Sequence, residues 1–361
     1  MSLEFDPGQP YNTLPPLPPP CEVETKPVLK AVIAAREALA ELNTACRLIP
    51  NPAIITQTIP LREAQASSEI ENIVTTNDEL FRAVWQVDTE VTPAVREALR
   101  YNYALHKGVE SLSRPLSLKT AQLVCQLICD SPGLIRSTPG TYIGDPLQGS
   151  KVYTPPEGYD VILEKISAWE RFLYGDYDLD GLVVMALAHY QFEAIHPFYD
   201  GNGRTGRILN ILYLIQENIL TLPVLYLSGY IVENKTEYYR LLRAVTAEQA
   251  WVDWILFMVN GVEVTARAAT QLIDDLRTTQ DETEEKIKTI GRIGPAKELA
   301  ELLFVHPYIR ISNVVDSGLA KRQTVSQWLQ SLAAAGVLEE EQVGRNKVFI
   351  NKMALSVLTR A

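Results

Sequence analysis

The chain has 361 residues, enough for two or three domains with substantial cores, and its 47% hydrophobic content is that of an ordinary globular protein. A formal net charge of −11 argues against a surface that coats nucleic acid, though it leaves room for one local basic face. The cysteines at 21, 46, 125 and 129 show no zinc-ligand pairing, the first residues lack the basic start and apolar core of a signal peptide, and the longest apolar zone, residues 208–227, is broken by Gln216, Glu217, Asn218 and Pro223. The expectation is a reduced, cytoplasmic protein without a membrane span.

In chain order, the run from Leu14 to Pro20 holds five prolines and predicts an extended polyproline arm, more readily a strap on the protein's own body than a ligand for an SH3-like partner. Helical periodicity begins near Pro27. A Glu- and Ala-rich helical stretch is expected over residues 61–83, and within it Ser67 and Glu71 are four apart, on one face. Ser68-x-x-Glu71 also reads as a capping box that starts a helix, and the residues alone leave the two readings level. Helices follow at 96–112 and 116–129. The chain then turns rich in Pro and Gly over 131–142, and Lys151-Val152-Tyr153-Thr154 is strand-like before Pro155 and Pro156.

Residues 196–207 read His-Pro-Phe-Tyr-Asp-Gly-Asn-Gly-Arg-Thr-Gly-Arg. The run before them, Leu182 to Ile195, suits a buried helix that Pro197 cannot continue; Asp200 to Gly203 is turn chemistry, and helical composition resumes at Arg204. Helix, tight polar loop, helix makes an anion site, because the second helix opens with free N–H groups beside glycines that admit a ligand. Arg204 and Arg207 are three apart and share a helical face. Asp200 offers one carboxylate, which suits a Mg²⁺ otherwise held by phosphates and water. His196 is the side chain suited to take a proton near neutral pH. These groups together describe nucleotidyl or phosphoryl transfer. The Gly-x-Gly-x-x-Gly spelled by Gly201, Gly203 and Gly206 is not a dinucleotide fingerprint, since a helix and not a strand precedes it.

Beyond the loop, a helix is expected over 208–218, then Lys235-Thr236-Glu237-Tyr238-Tyr239, then an apolar helix through Trp251, Trp254 and Met258. Residues 262–288 read as a charged connecting helix, with Gly291 and Gly294-Pro295 marking a boundary. From residue 290 onward nine Lys/Arg face six Asp/Glu, reversing the sign of the whole. The pattern there is a winged helix-turn-helix: helices at 296–304, 312–317 and 321–335, and wing strands around Gly344-Arg345-Asn346. Lys321, Arg322, Gln323, Thr324, Ser326 and Gln327 would lie outside on the third helix, the right chemistry for phosphates and base edges. A protein contact or dimer part is the competing reading.

The segment 196–207 resembles the signature of the Fic (filamentation-induced-by-cAMP) family, His-Pro-Phe-x-Asp/Glu-Gly-Asn-Gly/Lys-Arg-x-x-Arg, with every fixed position matched. The resemblance implies AMPylation, the transfer of AMP from ATP to a protein hydroxyl. On that basis His196 would deprotonate the hydroxyl, Asp200 would hold Mg²⁺, and Asn202, Gly203 and Gly206 would line the phosphates. Arg204 would meet the β-phosphate and Arg207 the γ-phosphate. Tyr239 would face the adenine, although Thr246 stands where some relatives have an Asn. Ser67-x-x-x-Glu71-Asn72 is similar to the family's inhibitory motif, which implies that Glu71 pairs with Arg207 and displaces the γ-phosphate. Residues 140–154 would form a hairpin flap whose Val152, Tyr153 and Thr154 dock the target chain.

The implied fold is mostly α, with an arm and regulatory helices over 1–115, a Fic core over 116–261 with a small β-hairpin flap, a connecting helix over 262–289 and a winged helix-turn-helix over 290–361. The leading function is an autoinhibited protein adenylyltransferase acting on Ser, Thr or Tyr of another protein or of itself. The rivals are AMP removal at the same site, and a nucleotide-sensing regulator that binds DNA through Lys321, Arg322 and Gln323. A homodimer is a further expectation.

Overall fold

The computed structural model describes residues 5–85, 91–144, 150–291, 293–343 and 346–359. The flap tip and the wing residues Gly344 and Arg345 therefore lie outside the described residues. The N-terminal part runs through α1 (Lys26–Leu48), α2 (Ala53–Ile70), α3 (Asn77–Val84), α4 (Pro93–Ser111) and α5 (Leu118–Cys129). A two-stranded antiparallel hairpin, β1 (Ile143–Gly144) with β2 (Lys151–Tyr153), leads to α6 (Tyr159–Leu173), α7 (Gly181–Ile195) and α8 (Asn202–Gln216). Then come α9 (Leu227–Glu233), α10 (Lys235–Glu248) and α11 (Trp251–Ile290). The C-terminal part is α12 (Ala296–Val305), β3 (Tyr308–Ile309), α13 (Ile311–Asp316), α14 (Arg322–Ala334), β4 (Glu339–Val343), β5 (Asn346–Ile350) and α15 (Lys352–Leu358). Its antiparallel sheet has the order β3-β5-β4. The protein is mostly helical, as expected.

The centre of the core is α7, apolar all round and buried along nearly its whole length, which is the pattern of a helix enclosed by others. Asp180 caps it, its Oδ1 accepting from Leu182 N at 2.8 Å. One helix, α11, runs 40 residues and takes in both the apolar segment at Trp251 and the charged segment after residue 262. Its first half closes the core over α7, where Trp254 Nε1 donates to Ala186 O at 2.8 Å, while α1 lies along it.

Two sequence expectations change here. The helical stretch over 61–83 is two helices: α2 ends at Ile70, Asn72 turns the chain at φ 62, and a Thr76/Glu79 capping box starts α3. The capping-box reading of Ser68 and Glu71 falls with it, since Glu71 stands at the C-terminal end of α2 and the Ser68 hydroxyl donates back to Ala64 O at 2.8 Å. The arm lies on the body: Leu14 is buried, its carbonyl accepts from Lys165 Nζ at 2.8 Å, and Pro15 O accepts from Gln191 Nε2 at 2.8 Å.

Candidate active site

The turn from α7 into α8 is held at three places. His196 adopts φ 49, a left-handed conformation that swings the chain out of α7 just before Pro197. Phe198 anchors the loop in the core, and its backbone N–H and carbonyl are both taken by the amide of Asn202, each at 2.8 Å. Gly201, at φ 76, begins α8. A third clamp comes from outside: Arg136, 1% exposed, donates from Nε to His196 O at 2.6 Å and from Nη2 to Ile195 O at 3.1 Å and to Pro156 O. Its own N–H bonds Pro197 O at 2.9 Å, beside the Ile135–Phe198 bridge. Arg136 ties the root of the hairpin to the histidine, and sequence reasoning missed it; an arginine after the apolar Leu134 and Ile135 was the only signal.

The His196 ring is pushed down to about 4, first by burial and then by the charge of Arg136, against the Glu193 carbonyl and the carboxylates of Glu71 and Asp200. At neutral pH it carries no charge and has a lone pair to offer. The Asp200 carboxylate is 78% exposed, with Oδ1 accepting from Gly201 N at 2.6 Å and lying 3.7 Å from Arg204 Nη2. Among the described residues no cluster of three or more His, Cys, Asp or Glu forms a metal cage. A single open carboxylate beside a phosphate site fits Mg²⁺, which keeps water and substrate oxygens as its other ligands.

The two arginines of α8 are buried and go to different partners. Arg204 pairs with Glu97 of α4, a residue the sequence did not single out. Arg207 donates from Nε to the Ser67 hydroxyl at 2.8 Å and from Nη2 to Ser67 O at 2.9 Å and to Glu71 Oε1 at 2.8 Å. Glu71 lies against the start of α8: a Cβ added to Gly203 would stand 2.5 Å from its Oε1. The carboxylate thus occupies the mouth of a helix N-terminus, the position an anionic ligand would take. Burial by itself would raise the Glu71 carboxyl, but Arg207's charge and hydrogen bond, with Arg204 and His196 behind, outweigh it and hold the carboxyl below the usual range. Behind Ser67, Tyr101 OH donates to buried Glu63 at 2.9 Å, and Glu63 accepts from Ser228 N at 2.9 Å, so the turn from Ser67 to Glu71 rests on a fully buried polar network.

The other expected site residues divide. Gly206 faces α7, where an added Cβ would meet Glu193 at 2.4 Å and Phe192 at 3.2 Å, so its contact is helix packing. Tyr238 is the core tyrosine, its hydroxyl 2.8 Å from His189 Nε2; Tyr239 is 43% exposed and packs edge-on against Tyr238, and partial burial, then the charge of Glu71, push its phenol up. Thr246 is taken by the Tyr190 hydroxyl at 2.9 Å. In the hairpin Val152 is half-buried, while Tyr153 turns inward to donate to Ala194 O at 2.8 Å and Thr154 bonds the arm through Pro7 O and Tyr11 N. Lys321, Arg322 and Gln323 are exposed at the start of α14.

A helical domain that sets a neutral histidine, an open carboxylate and two buried arginines around a glycine-bordered helix N-terminus is built to handle phosphates. Three family models match this chain: the Fic/DOC family N-terminal model over residues 29–110, the Fic/DOC family model over 115–214, and the C-terminal domain of SoFic-like protein adenylyltransferases over 279–354. The chain belongs to the Fic family. It is 31% identical over 108 residues to a protein adenylyltransferase of Caenorhabditis briggsae, covering 27% of this chain and 20% of that one. It is 27% identical over 122 residues to a probable protein adenylyltransferase of Aquifex aeolicus, covering 34% and 35%. The chain thus spans between 15% and 35% of the length of curated relatives such as these. A Fic family protein from Desulfovibrio desulfuricans shares the fold over 93% of this chain and 98% of its own, with TM-score 0.62 at 21% identity. A Fic domain containing signalling protein from Bacteroides thetaiotaomicron does so over 66% and 95%, with TM-score 0.54 at 17% identity. No helix among the described residues is long and apolar enough to cross a membrane.

Proposed function

We propose that this chain is a protein adenylyltransferase at rest in an inhibited state, transferring AMP from Mg·ATP to a Ser, Thr or Tyr hydroxyl of a target protein or of itself. The observation that carries the reading is the placement of Glu71 on Arg207 and against Gly203, within the site that also holds His196 and Asp200. A γ-phosphate that needs Arg207 must first displace this carboxylate, and a nucleotide bound with Glu71 in place is held out of line for attack.

In transfer, the neutral imidazole of His196 takes the proton of the target hydroxyl as its oxygen attacks the α-phosphorus, and pyrophosphate departs. Asp200 would hold Mg²⁺, which when bound neutralises phosphate charge. The N–H groups at the start of α8 stabilise the charge that develops on the α-phosphate, with Asn202 keeping the loop in shape through Phe198. Arg204 and Arg207 bind the leaving pyrophosphate, and Tyr239 borders the base. The backbone of β2 would align the target chain by strand addition, leaving Tyr153 and Thr154 to anchor the hairpin.

Incubation with Mg²⁺ and ATP labelled at the α-phosphate tests the proposal. Weak labelling of the wild type, strong labelling of Glu71→Gly and none of His196→Ala is expected. Equal labelling of wild type and Glu71→Gly would remove the inhibitory role and keep the transferase. No labelling of any variant or of lysate proteins would remove both.

A further inference from the structure

The signature loop rests on two thiols that this chemistry does not use. Cys125 and Cys129 are four residues apart on the last turn of α5, directly under Asp200 and Gly201. The Cys125 thiol donates to Asp200 O at 3.4 Å. Both sulfurs crowd the same point: a Cβ on Gly201 would lie 2.5 Å from Cys129 Sγ and 3.8 Å from Cys125 Sγ. Cys125 is buried and Cys129 is partly open. The turn that carries them can give way, since Cys129 is the last residue of α5 and Asp130 is already left-handed at φ 51.

We propose that Cys125 and Cys129 form a peroxide-oxidisable disulfide pair that reshapes the catalytic loop. Cys129, the accessible thiol, attacks one oxygen of hydrogen peroxide as its thiolate; the S–O bond forms, the O–O bond breaks, and hydroxide leaves to take up a proton as water. The Cys125 sulfur then attacks the Cys129 sulfenic acid; the S–S bond forms, the S–OH bond breaks, and a second water carries off the Cys125 proton. Two thiols lose two electrons in all, and one peroxide gains them. Residues four apart in a helix hold their β-carbons about 5–6 Å apart, whereas a disulfide needs about 3.8 Å. Closing the bond contracts the end of α5 and takes the Cys125 S–H away from the Asp200 carbonyl. The loop between His196 and α8 loses that support, and on the function proposed above AMP transfer slows until a thiol reductant restores the pair.

The test reads the bond before it reads activity. The full chain is treated with hydrogen peroxide, alkylated and digested with trypsin; residues 120–136 form one peptide that contains both cysteines and no internal Lys or Arg. The expected result is that this peptide loses about 2 Da, that dithiothreitol restores it, and that Cys125→Ser instead leaves a sulfenic acid on Cys129 that dimedone traps. A peptide that stays fully alkylated, or a disulfide that joins Cys21 or Cys46 instead, overturns the proposal whatever the enzyme does. With the bond shown by mass, Glu71→Gly is expected to label several-fold more slowly when oxidised and to recover on reduction. Equal labelling of the oxidised and reduced forms overturns the effect on the loop while leaving the function proposed above untouched.

Discussion

Glu71 and Arg207 are 136 residues apart in the chain and 2.8 Å apart in the fold. The pair joins the end of α2 to the second turn of α8, and its two members differ in their dependence on each other. Arg207 keeps the Ser67 hydroxyl and carbonyl when Glu71 is gone, so the arginine stays oriented for a phosphate. Glu71, 35% exposed, is the member that can leave. Glu71→Gly is therefore expected to raise α-phosphate labelling by about tenfold or more, the effect of removing roughly 1.4 kcal/mol of competition. It should also lower stability by about 2 kcal/mol, the scale of a lost charged hydrogen bond. Labelling time courses and urea midpoints check both, and unchanged labelling would count against competition at Arg207.

The proton acceptor has its own signature. Because burial and Arg136 hold His196 at about 4, below the ordinary 6.5, the ring is neutral at every pH above that value. Labelling by Glu71→Gly should be flat from about pH 6 to about pH 8 and fall as pH approaches 4. In stability terms a depressed histidine favours the folded state fully above 6.5, and that contribution is lost as pH falls through the folded value. A rate that halves near pH 6.5 would show that the ring is charged more easily than its surroundings imply.

Glu193 supplies a second pH effect of opposite sign. It sits one turn before His196 with Oε1 buried and unpartnered among the described residues, and burial, with Glu71 adding and Arg207 opposing, pushes it up to about 7. A raised carboxyl contributes stability that is present below 4.5 and lost as pH climbs through about 7. Glu193→Gln cannot ionise. Its stability relative to wild type should therefore improve by about 2 kcal/mol between pH 5 and pH 8. Parallel urea midpoints for the two proteins across that range would refute the assignment.

Arg136 acts on the loop without touching substrate. Arg136→Lys keeps a charge but cannot reach the His196, Ile195 and Pro156 carbonyls together. The expected cost is about 3 kcal/mol in stability, from buried carbonyls left without donors. In a Glu71→Gly background kcat should fall more than the KM for ATP rises, because the histidine moves while the arginines of α8 stay. A rise in KM alone would place Arg136 in nucleotide binding instead.

What could be read before folding was whatever twelve contiguous residues encode. Pro197 ends a helix, Gly201 and Gly203 permit the turn, and Asn202 is close enough to close the loop on Phe198 by itself, so the helix–loop–helix, and the roles proposed for His196, Asp200 and Arg207, were legible in local chemistry. The end of α2 did not follow in the same way. Ser68-x-x-Glu71 and Thr76-x-x-Glu79 have equal local claims to start a helix, and only the second does, because Ser68 is buried in the last turn of α2 and Asn72 takes the left-handed turn. Arg136, Glu97 and the buried Glu63 likewise became legible only with the packing of their elements around α7 and α8. A hydrogen bond acts over about 3 Å, so a residue's partner across the fold is decided by which helices meet. Here that meeting lays the end of α2 across the start of α8, which makes Glu71 a candidate lock on the site.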